Sequence, residues 1–207
     1  MTSEPAIAKE MTKGELSSES LLEIAATLFR DHGYAGTTMR EIAKKAGMKA
    51  GSLYYHFESK DEILDLVICR GINETINAFE IAMRQLPQDA SFRDRLCAAI
   101  QAHLETIQEF GSYTVASRQL LSQIPGEMRE KHRARRQDYD DMWRDLLRAG
   151  HEEGQLGLPK EPGVTRMFLI GSLNWASEWM DTRKKSSRQL ARIAADLFLD
   201  GLAGNRN

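Results

Sequence analysis

Cysteine is scarce in this sequence, with two residues, Cys69 and Cys97, in a chain of 207. They lie far apart, each among apolar helix-forming residues, and neither belongs to a C-x-x-C pair. The five histidines are scattered and form no H-E-x-x-H or other ligand pair. These spacings match none of the usual sequence patterns of metal sites. We therefore predict two buried, reduced thiols, no metal and no cofactor.

The sequence also lacks any uncharged apolar run of about 18 residues, the length that a membrane helix needs. Residues 1–16 mix Glu and Lys and contain no apolar signal segment, so we predict a disordered arm and a cytoplasmic protein. No phosphate-binding glycine loop, no G-x-S-x-G and no catalytic spacing of Ser, His and Asp is present. The sequence therefore predicts no membrane contact, no catalytic residue and no enzymatic activity.

The chain carries little net charge, because 28 Lys and Arg stand against 30 Asp and Glu. Proteins that bind nucleic acid are often basic overall, so this balance argues mildly against that function. Between Arg40 and Lys60, however, five basic residues outnumber two acidic ones, a local excess of +3. A binding surface needs only local charge, so this stretch is a candidate.

Helical periodicity runs through nearly the whole chain, and alternating strand patterns are absent. Caps and breaks predict nine helices, over about residues 18–32, 38–47, 49–55, 59–86, 91–109, 113–121, 126–153, 161–181 and 187–202. Ser20 with Glu23 and Thr38 with Glu41 fit capping boxes, and Gly33 fits a helix end. We predict an all-α protein with a helix-turn-helix domain at 17–64 and a larger helical domain at 65–207. No linker separates them, so the first three helices should pack directly on the rest.

The stretch from Thr37 to Lys60 reads TTMREIAKKAGMKAGSLYYHFESK and predicts a helix, a tight turn and a second helix. Leu53 and Phe57 should be core residues, and Gly47 allows the positive φ that a sharp turn needs. The second helix of such a pair fits the DNA major groove, which is about 12 Å wide. Gly51 would leave room for the backbone to approach DNA. The alternative is a helical hairpin with only a structural role.

The segment from Leu21 to Leu66 resembles the DNA-binding domain of the TetR family of bacterial repressors. The matching sequences are LFRDHGYAGTT at the end of the first helix and then IAKKAGMKAGSLYYHFESKDEIL. The resemblance implies a homodimer that leaves a near-palindromic operator when a small molecule binds the C-terminal part. By position, it implies phosphate contacts at Thr38, Tyr54 and Lys60, base contacts at Arg40, Lys49, Ala50 and Ser52, and backbone contacts at Tyr55 and His56. A transcriptional activator would bind DNA in the same way and remains an alternative.

Polar and aromatic side chains are unusually frequent in the C-terminal helices and suit the wall of a ligand pocket. The candidate ligand-binding residues are Arg118, Arg133, Trp143, Arg166, Asn174, Trp175 and Trp179. An arginine in such a pocket would favour an anionic ligand. The alternative is tryptophan packing in the core, with ion pairs at the surface. The basic run from Arg129 to Arg136 predicts either a solvated helix face or a pocket mouth that attracts a phosphate-bearing ligand.

Two C-terminal segments, from Arg118 to Gly150 and from Arg166 to Met180, are similar in sequence to TetR-type regulators of fatty-acid and steroid catabolism. This resemblance implies an acyl-CoA or steroid-CoA thioester as effector. Family resemblance also implies that the last two long helices form the dimer interface, although the same apolar stripes would equally pack within one subunit. A regulator of efflux genes that senses a hydrophobic, drug-like ligand is the alternative function.

Overall fold

Every regular element in the described part of the chain is an α-helix, as the sequence predicts. The computed structural model describes residues 17–121, 124, 126–157, 162–181 and 183–201, and the predicted arm at 1–16 lies outside this part. None of the described helices is long and apolar enough to cross a membrane. The helices are α1 (Ser18–His32), α2 (Met39–Lys45), α3 (Ala50–Leu53), α4 (Lys60–Gln85), α5 (Phe92–Glu109), α6 (Gly111–Leu120), α7 (Gly126–Glu152), α8 (Pro162–Asn174), α9 (Ala176–Trp179) and α10 (Ser187–Asp200).

Short polar side chains set the starts of the first helices. The predicted Ser20–Glu23 capping box is wrong, because Ser17 caps α1 by accepting a hydrogen bond from the backbone N–H of Ser20 at 3.2 Å. The Thr38–Glu41 capping box at the start of α2 is confirmed. Gly33 ends α1 in the left-handed region, with φ of 71°.

The predicted eighth helix is interrupted at Trp175, so that α8 and α9 are separate elements. The carbonyl oxygen of Asn174 accepts hydrogen bonds from Arg118 Nη1 at 3.3 Å and from Ser177 Oγ at 3.1 Å. The N–H of Glu178 donates instead to the carbonyl oxygen of Trp175 at 3.1 Å. Because this bond spans three residues rather than four, the helical ladder changes register at Trp175.

The apolar side chains form two clusters that share α4 and α7. The first joins α1, α2 and α3 to α4 and α6, with Leu21, Leu53, Phe57 and Tyr113 among its buried members. The second surrounds Trp143 on α7 and includes residues of α5, α8 and α10. The predictions that Leu53 and Phe57 are core residues and that the first three helices pack directly on the rest are therefore confirmed.

The two cysteines are free thiols but only half-buried, so the prediction that both are buried is wrong. Cys69 lies on α4 and Cys97 on α5. Each of these helices has one buried and one exposed face. Each thiol lies at the border between the two faces of its own helix.

Gly71 allows α4 to approach α6 closely. A Cβ atom at this position would lie 2.5 Å from the carbonyl oxygen of Tyr113. We expect Gly71→Ala to lower the free energy of unfolding by about 1–3 kcal/mol, because the two backbones must move apart. Urea unfolding at one fixed protein concentration measures this effect.

Gly51→Ala is the matched control, because a Cβ at Gly51 meets no atom within 4 Å. Since Gly51 lies in α3, alanine there should raise the free energy of unfolding by up to about 1 kcal/mol. Equal effects of the two substitutions would contradict the close approach of α4 and α6.

Candidate functional site

Helices α2 and α3 form the helix-turn-helix motif that the sequence predicts. Gly47 occupies the turn between them with φ of 68°, and the N–H of Met48 donates to the carbonyl oxygen of Ala43 at 3.0 Å. Helix α3 is shorter than predicted, because it begins after Lys49 and ends before Tyr54. Buried Leu53 attaches α3 to the first apolar cluster and leaves its N-terminal residues at the surface.

Most of the predicted DNA-contacting side chains are accessible to a partner. Thr38, Arg40, Lys49, Tyr54 and Tyr55 are exposed, and Tyr55 is 92% exposed. The remaining candidates are half-buried: Ala50, Ser52, His56 and Lys60. A tyrosine that leaves nearly its whole ring and hydroxyl in solvent contributes nothing to the core of the isolated chain. It is available to contact an external partner.

Two of the predicted phosphate contacts also hold the motif together, which sequence reasoning missed. Lys60 Nζ donates hydrogen bonds to the carbonyl oxygens of Tyr34 and Thr37, each at 2.8 Å, and lies 3.9 Å from the centre of the Tyr34 ring. Thr38 Oγ1 donates to the Glu41 carboxylate at 2.9 Å. Lys60 and Thr38 thus fix the starts of α4 and α2 in the isolated chain.

Helix α4 runs from the helix-turn-helix motif into the larger domain. Its first residue is Lys60, and further along Arg70 pairs with Glu19 of α1 at 2.8 Å and lies 4.8 Å from the centre of the Tyr113 ring of α6. Gly71 and Ile72, which directly follow Arg70, and Thr75 one turn further line a cavity. A displacement of α4 at this cavity would therefore reach the helix-turn-helix motif.

The cavity lies between the two apolar clusters and has a volume of about 70 Å³. Helices α4, α5, α6, α7 and α8 contribute to its wall. The lining residues are Gly71, Ile72, Thr75, His103, Ile107, Thr114, Ser117, Arg118, Arg136, Tyr139, Asp140, Ile170 and Asn174.

Arg118 and Arg136 place two positive charges at the cavity wall, and the carboxylate of Glu178 offsets only part of the charge at Arg118. Within the described part of the chain, neither guanidinium has a carboxylate oxygen within 4 Å. Among the described lining residues, only Asp140 carries a carboxylate, and it pairs with Arg166. Burial, and next the charge of Arg136, lower the pKa of Arg118 from its usual value. Two like charges in one partly buried cavity favour an anionic occupant.

A neutral histidine forms part of the same wall. His103 Nδ1 and the Tyr139 hydroxyl lie 2.8 Å apart in a hydrogen bond. Burial first, and the charge of Arg118 second, lower the pKa of His103 to about 4, a shift that Asn174 opposes. Nε2 of His103 is buried without a well-aligned hydrogen bond. The cavity therefore presents an unsatisfied polar nitrogen beside its two guanidinium groups.

The structure brings only some of the predicted ligand-binding residues together. Arg118 and Asn174 line the cavity, and Arg166 contacts it through Asp140. Trp143 lies behind the wall, fully buried, with its ring centre 6.3 Å from that of Tyr139. Sequence reasoning missed His103 and Tyr139 and included Arg136 only as the end of a basic run, because nothing local marks which polar residues of a helix meet those of another helix.

The other predicted residues lie at the surface and away from the cavity. Arg133 is exposed and pairs with Glu130 at 3.2 Å, while Trp175 and Trp179 are 65% and 57% exposed. The two tryptophans were expected in a pocket wall on the assumption that their helix is largely buried. In the single chain, α8 and α9 leave one apolar side uncovered and neither tryptophan lines the cavity, so their place in a pocket wall stays a prediction.

Some basic side chains of the run from Arg129 to Arg136 on α7 lie at the surface, and one lies at the cavity. Lys131 pairs with Asp65, Arg133 with Glu130 and Arg135 with Asp138, each at the surface. Arg136 lines the cavity. The run is therefore mostly a solvated helix face, with one arginine at the cavity wall.

Models of known protein families match both the N-terminal and the C-terminal part of the chain. Residues 21–67 match the model described as bacterial regulatory proteins, tetR family, and residues 89–202 match the tetracyclin repressor-like C-terminal domain. The chain belongs to the TetR family. TetR-family proteins are DNA-binding regulators and not enzymes, as the sequence predicts.

Three relatives illustrate the similarity. The HTH-type transcriptional repressor KstR2 of Mycobacterium tuberculosis is 32% identical over 167 residues, which cover 79% of this chain and 82% of that protein. The TetR-family regulator PfmR of Thermus thermophilus is 28% identical, with a TM-score of 0.77 over 91% of this chain and 98% of its own. AibR, solved in complex with isovaleryl coenzyme A and operator DNA, is 22% identical with a TM-score of 0.71 over 88% and 97%, which shows the same fold.

Proposed function

We propose that this chain is a homodimeric transcriptional repressor that leaves a near-palindromic operator when an anionic small molecule enters the cavity. The observation that carries this proposal is the pair of unpaired arginines, Arg118 and Arg136, in a cavity whose wall includes α4. The exposed basic and aromatic residues of the TetR-family motif support the DNA-binding part. KstR2, a curated relative, is described as a transcriptional repressor, which supports repression rather than activation.

Operator binding would use the residues that the family resemblance implies. Lys49, Ala50 and Ser52 lie at the start of α3, where the second helix of such a motif contacts base edges. Arg40 of α2 adds a further base contact, while Thr38, Tyr54, Tyr55, His56 and Lys60 contact the DNA backbone. Ala50 has no hydrogen-bonding group, so it reads only the methyl group of a thymine.

The homodimer would form through the uncovered apolar side of the last helices. Large apolar side chains are exposed there on α8, α9 and α10 and between α8 and α9: Val164, Met167, Phe168, Trp175, Trp179, Ile193 and Leu197. So many exposed large apolar side chains on the last helices are unusual for a monomer and support an interface there. A two-fold symmetric pair would place two α3 helices on half-sites about 34 Å apart.

The effector would be an acyl-CoA or steroid-CoA thioester. A pocket for a ligand of drug size measures about 300–1,000 Å³, so the cavity of about 70 Å³ must expand to receive one. Expansion would move α4 and α6, which hold α1, and would thereby change the spacing of the two α3 helices. The isovaleryl coenzyme A bound to AibR and the description of KstR2 as a ketosteroid transcriptional regulator support this ligand class.

A hydrophobic, drug-like effector is the second candidate. The apolar part of the cavity wall, Ile72, Ile107 and Ile170, is compatible with it. The two unpaired arginines disfavour a cationic drug, because a third positive charge would add to their repulsion.

The decisive experiment is fluorescence anisotropy of a labelled duplex from the region upstream of the gene. The complex is formed at physiological salt and then titrated with acyl-CoA and steroid-CoA thioesters, free coenzyme A and an uncharged hydrophobic drug. Specific binding followed by release with a thioester would support both parts of the proposal. Release by the uncharged drug alone would favour the second candidate, and equal binding to a scrambled duplex would contradict operator recognition at this site.

Lys49→Ala tests whether a predicted DNA contact can be removed without changing the stability of the fold. We expect it to weaken binding to every duplex and to lower the slope of log affinity against log salt by about one unit. Because Lys49 is exposed, the free energy of unfolding should change by less than about 0.5 kcal/mol.

Lys60→Ala should lower the salt slope by a similar amount and also destabilise the fold. Two carbonyl oxygens lose their charged donor, which costs about 1–3 kcal/mol in the free energy of unfolding. Anisotropy at several salt concentrations and urea unfolding measure the two effects. Unchanged DNA affinity in a folded Lys60→Ala variant would remove Lys60 from the DNA contacts.

A further inference from the structure

Three potential metal ligands meet between α4 and α7. Asp65 and Cys69 are four residues apart on α4 and therefore share one face of that helix. His132 on α7 lies opposite them, and one ligand atom of each residue lies within 4.8 Å of the other two. His132 Nε2 is 2.9 Å from Asp65 Oδ1. The cluster therefore combines a thiol, an imidazole and a carboxylate at one point.

The imidazole of His132 is the most confined member of the cluster. Its side chain is only 1% exposed, and Nε2 is buried without a well-aligned hydrogen bond, despite its closeness to the Asp65 carboxylate. A buried nitrogen in this state is costly unless a partner satisfies it.

One competing contact occupies the carboxylate. Lys131 Nζ donates to Asp65 Oδ2 at 2.7 Å and to Oδ1 at 3.1 Å. The Lys131 side chain is 59% exposed, so it can turn into solvent when a cation takes its place. Its charge opposes a cation only while it remains beside Asp65.

We propose that Asp65, Cys69 and His132 bind one zinc-class divalent cation that joins α4 to α7. Thiolate, imidazole and carboxylate are the three ligand types that Zn²⁺ accepts, at about 2.0–2.3 Å. Adjacent ligand atoms in a tetrahedral zinc site are about 3.3–3.8 Å apart. Side-chain rotations that move the three ligand atoms by about 1 Å would therefore bring them to this spacing. A water molecule takes the fourth position.

The site lies on the part of α4 between the helix-turn-helix motif and the cavity. Asp65 is in the second turn after Lys60, and Gly71 of the cavity wall follows Cys69 by two residues. An ion held by α4 and α7 together would restrain the helix whose movement the proposed repressor mechanism uses. Cation binding itself does not depend on that mechanism.

Cobalt binding tests the site directly. The untagged full-length chain is titrated with Co²⁺, and the near-ultraviolet thiolate-to-cobalt charge-transfer band is recorded. We expect one equivalent per chain in the wild type and loss of the band in Cys69→Ser. Cys97→Ser is the matched control, because Cys97 is also half-buried and free but lies outside this cluster. It should keep the band.

Zinc competition gives a second measurement. Zn²⁺ should displace Co²⁺ from the wild type and Cys97→Ser and raise their melting temperature. Cys69→Ser and His132→Gln should bind Zn²⁺ at least about tenfold more weakly against a chromogenic chelator. If His132→Gln fails to fold by circular dichroism, Cys69→Ser decides alone, because its side chain is half-exposed. Absence of the band in the wild type, or its persistence in Cys69→Ser, overturns the proposal.

Discussion

Replacing Trp143 by alanine is expected to lower the free energy of unfolding by about 3–5 kcal/mol. The indole is fully buried in the second apolar cluster, and its ring centre lies 5.4 Å from Phe79, 6.3 Å from Tyr139 and 6.4 Å from His103. Truncation leaves a cavity that these edge-to-face rings cannot fill without losing their mutual contacts. Since a domain is typically stable by about 5–15 kcal/mol, the loss is a large share of the total.

Trp175→Ala is the matched control for this prediction. Trp175 is 65% exposed in the isolated chain, so its removal costs the fold of one subunit little. If Trp175 lies in the dimer interface, its removal should weaken dimerisation, and the loss of apparent stability should shrink as protein concentration rises. The loss in Trp143→Ala should not depend on concentration.

Urea unfolding at several protein concentrations and analytical ultracentrifugation distinguish these outcomes. A Trp143→Ala chain that unfolds like the wild type but no longer responds to effector would contradict its place in the core. It would favour the ligand contact that sequence reasoning predicts for Trp143.

Replacing Arg118 by methionine is expected to weaken the effector response strongly while DNA affinity is retained. Methionine keeps the approximate length and apolar body of the side chain but removes its charge. Loss of one partner of a partly buried charge pair costs about 2–5 kcal/mol, so half-release should need at least roughly 30-fold more thioester. The Asn174 carbonyl loses one hydrogen bond but keeps the bond from Ser177, which limits damage to the fold.

Arg133→Met is the matched control for Arg118→Met. It also removes one positive charge, in this case from an exposed position on α7 that pairs with Glu130 outside the cavity. Its half-release concentration should stay within about twofold of the wild type, since only long-range attraction is lost. Anisotropy of the operator complex under thioester titration compares the three proteins. An equal rise of the half-release concentration in both variants would show an effect of net charge alone. An unchanged half-release concentration in Arg118→Met would exclude Arg118 from the effector site.

Features that depend on residues close together in the chain could be predicted from the sequence. Helical periodicity, the Thr38–Glu41 capping box and the glycines at Gly33 and Gly47 are local, so the all-α class and the helix-turn-helix motif could be predicted from them. Burial of Leu53 and Phe57 followed from their positions on and just after the short third helix, which must attach to a core. The family resemblance of the segment from Leu21 to Leu66 rests on the same short-range pattern.

Which polar side chains meet across helices became visible only in the three-dimensional structure. The structure also separated buried from exposed tryptophans. It placed Trp143 in the core and Trp175 at the surface, although the sequence predicts both within long helices. It brought Arg136 beside Arg118 and His132 beside Cys69, pairs that no spacing along the chain connects. The physical reason is that helix packing angles and the break at Trp175 arise from the whole set of interhelical contacts, whereas periodicity identifies a helix's apolar face without identifying what covers it.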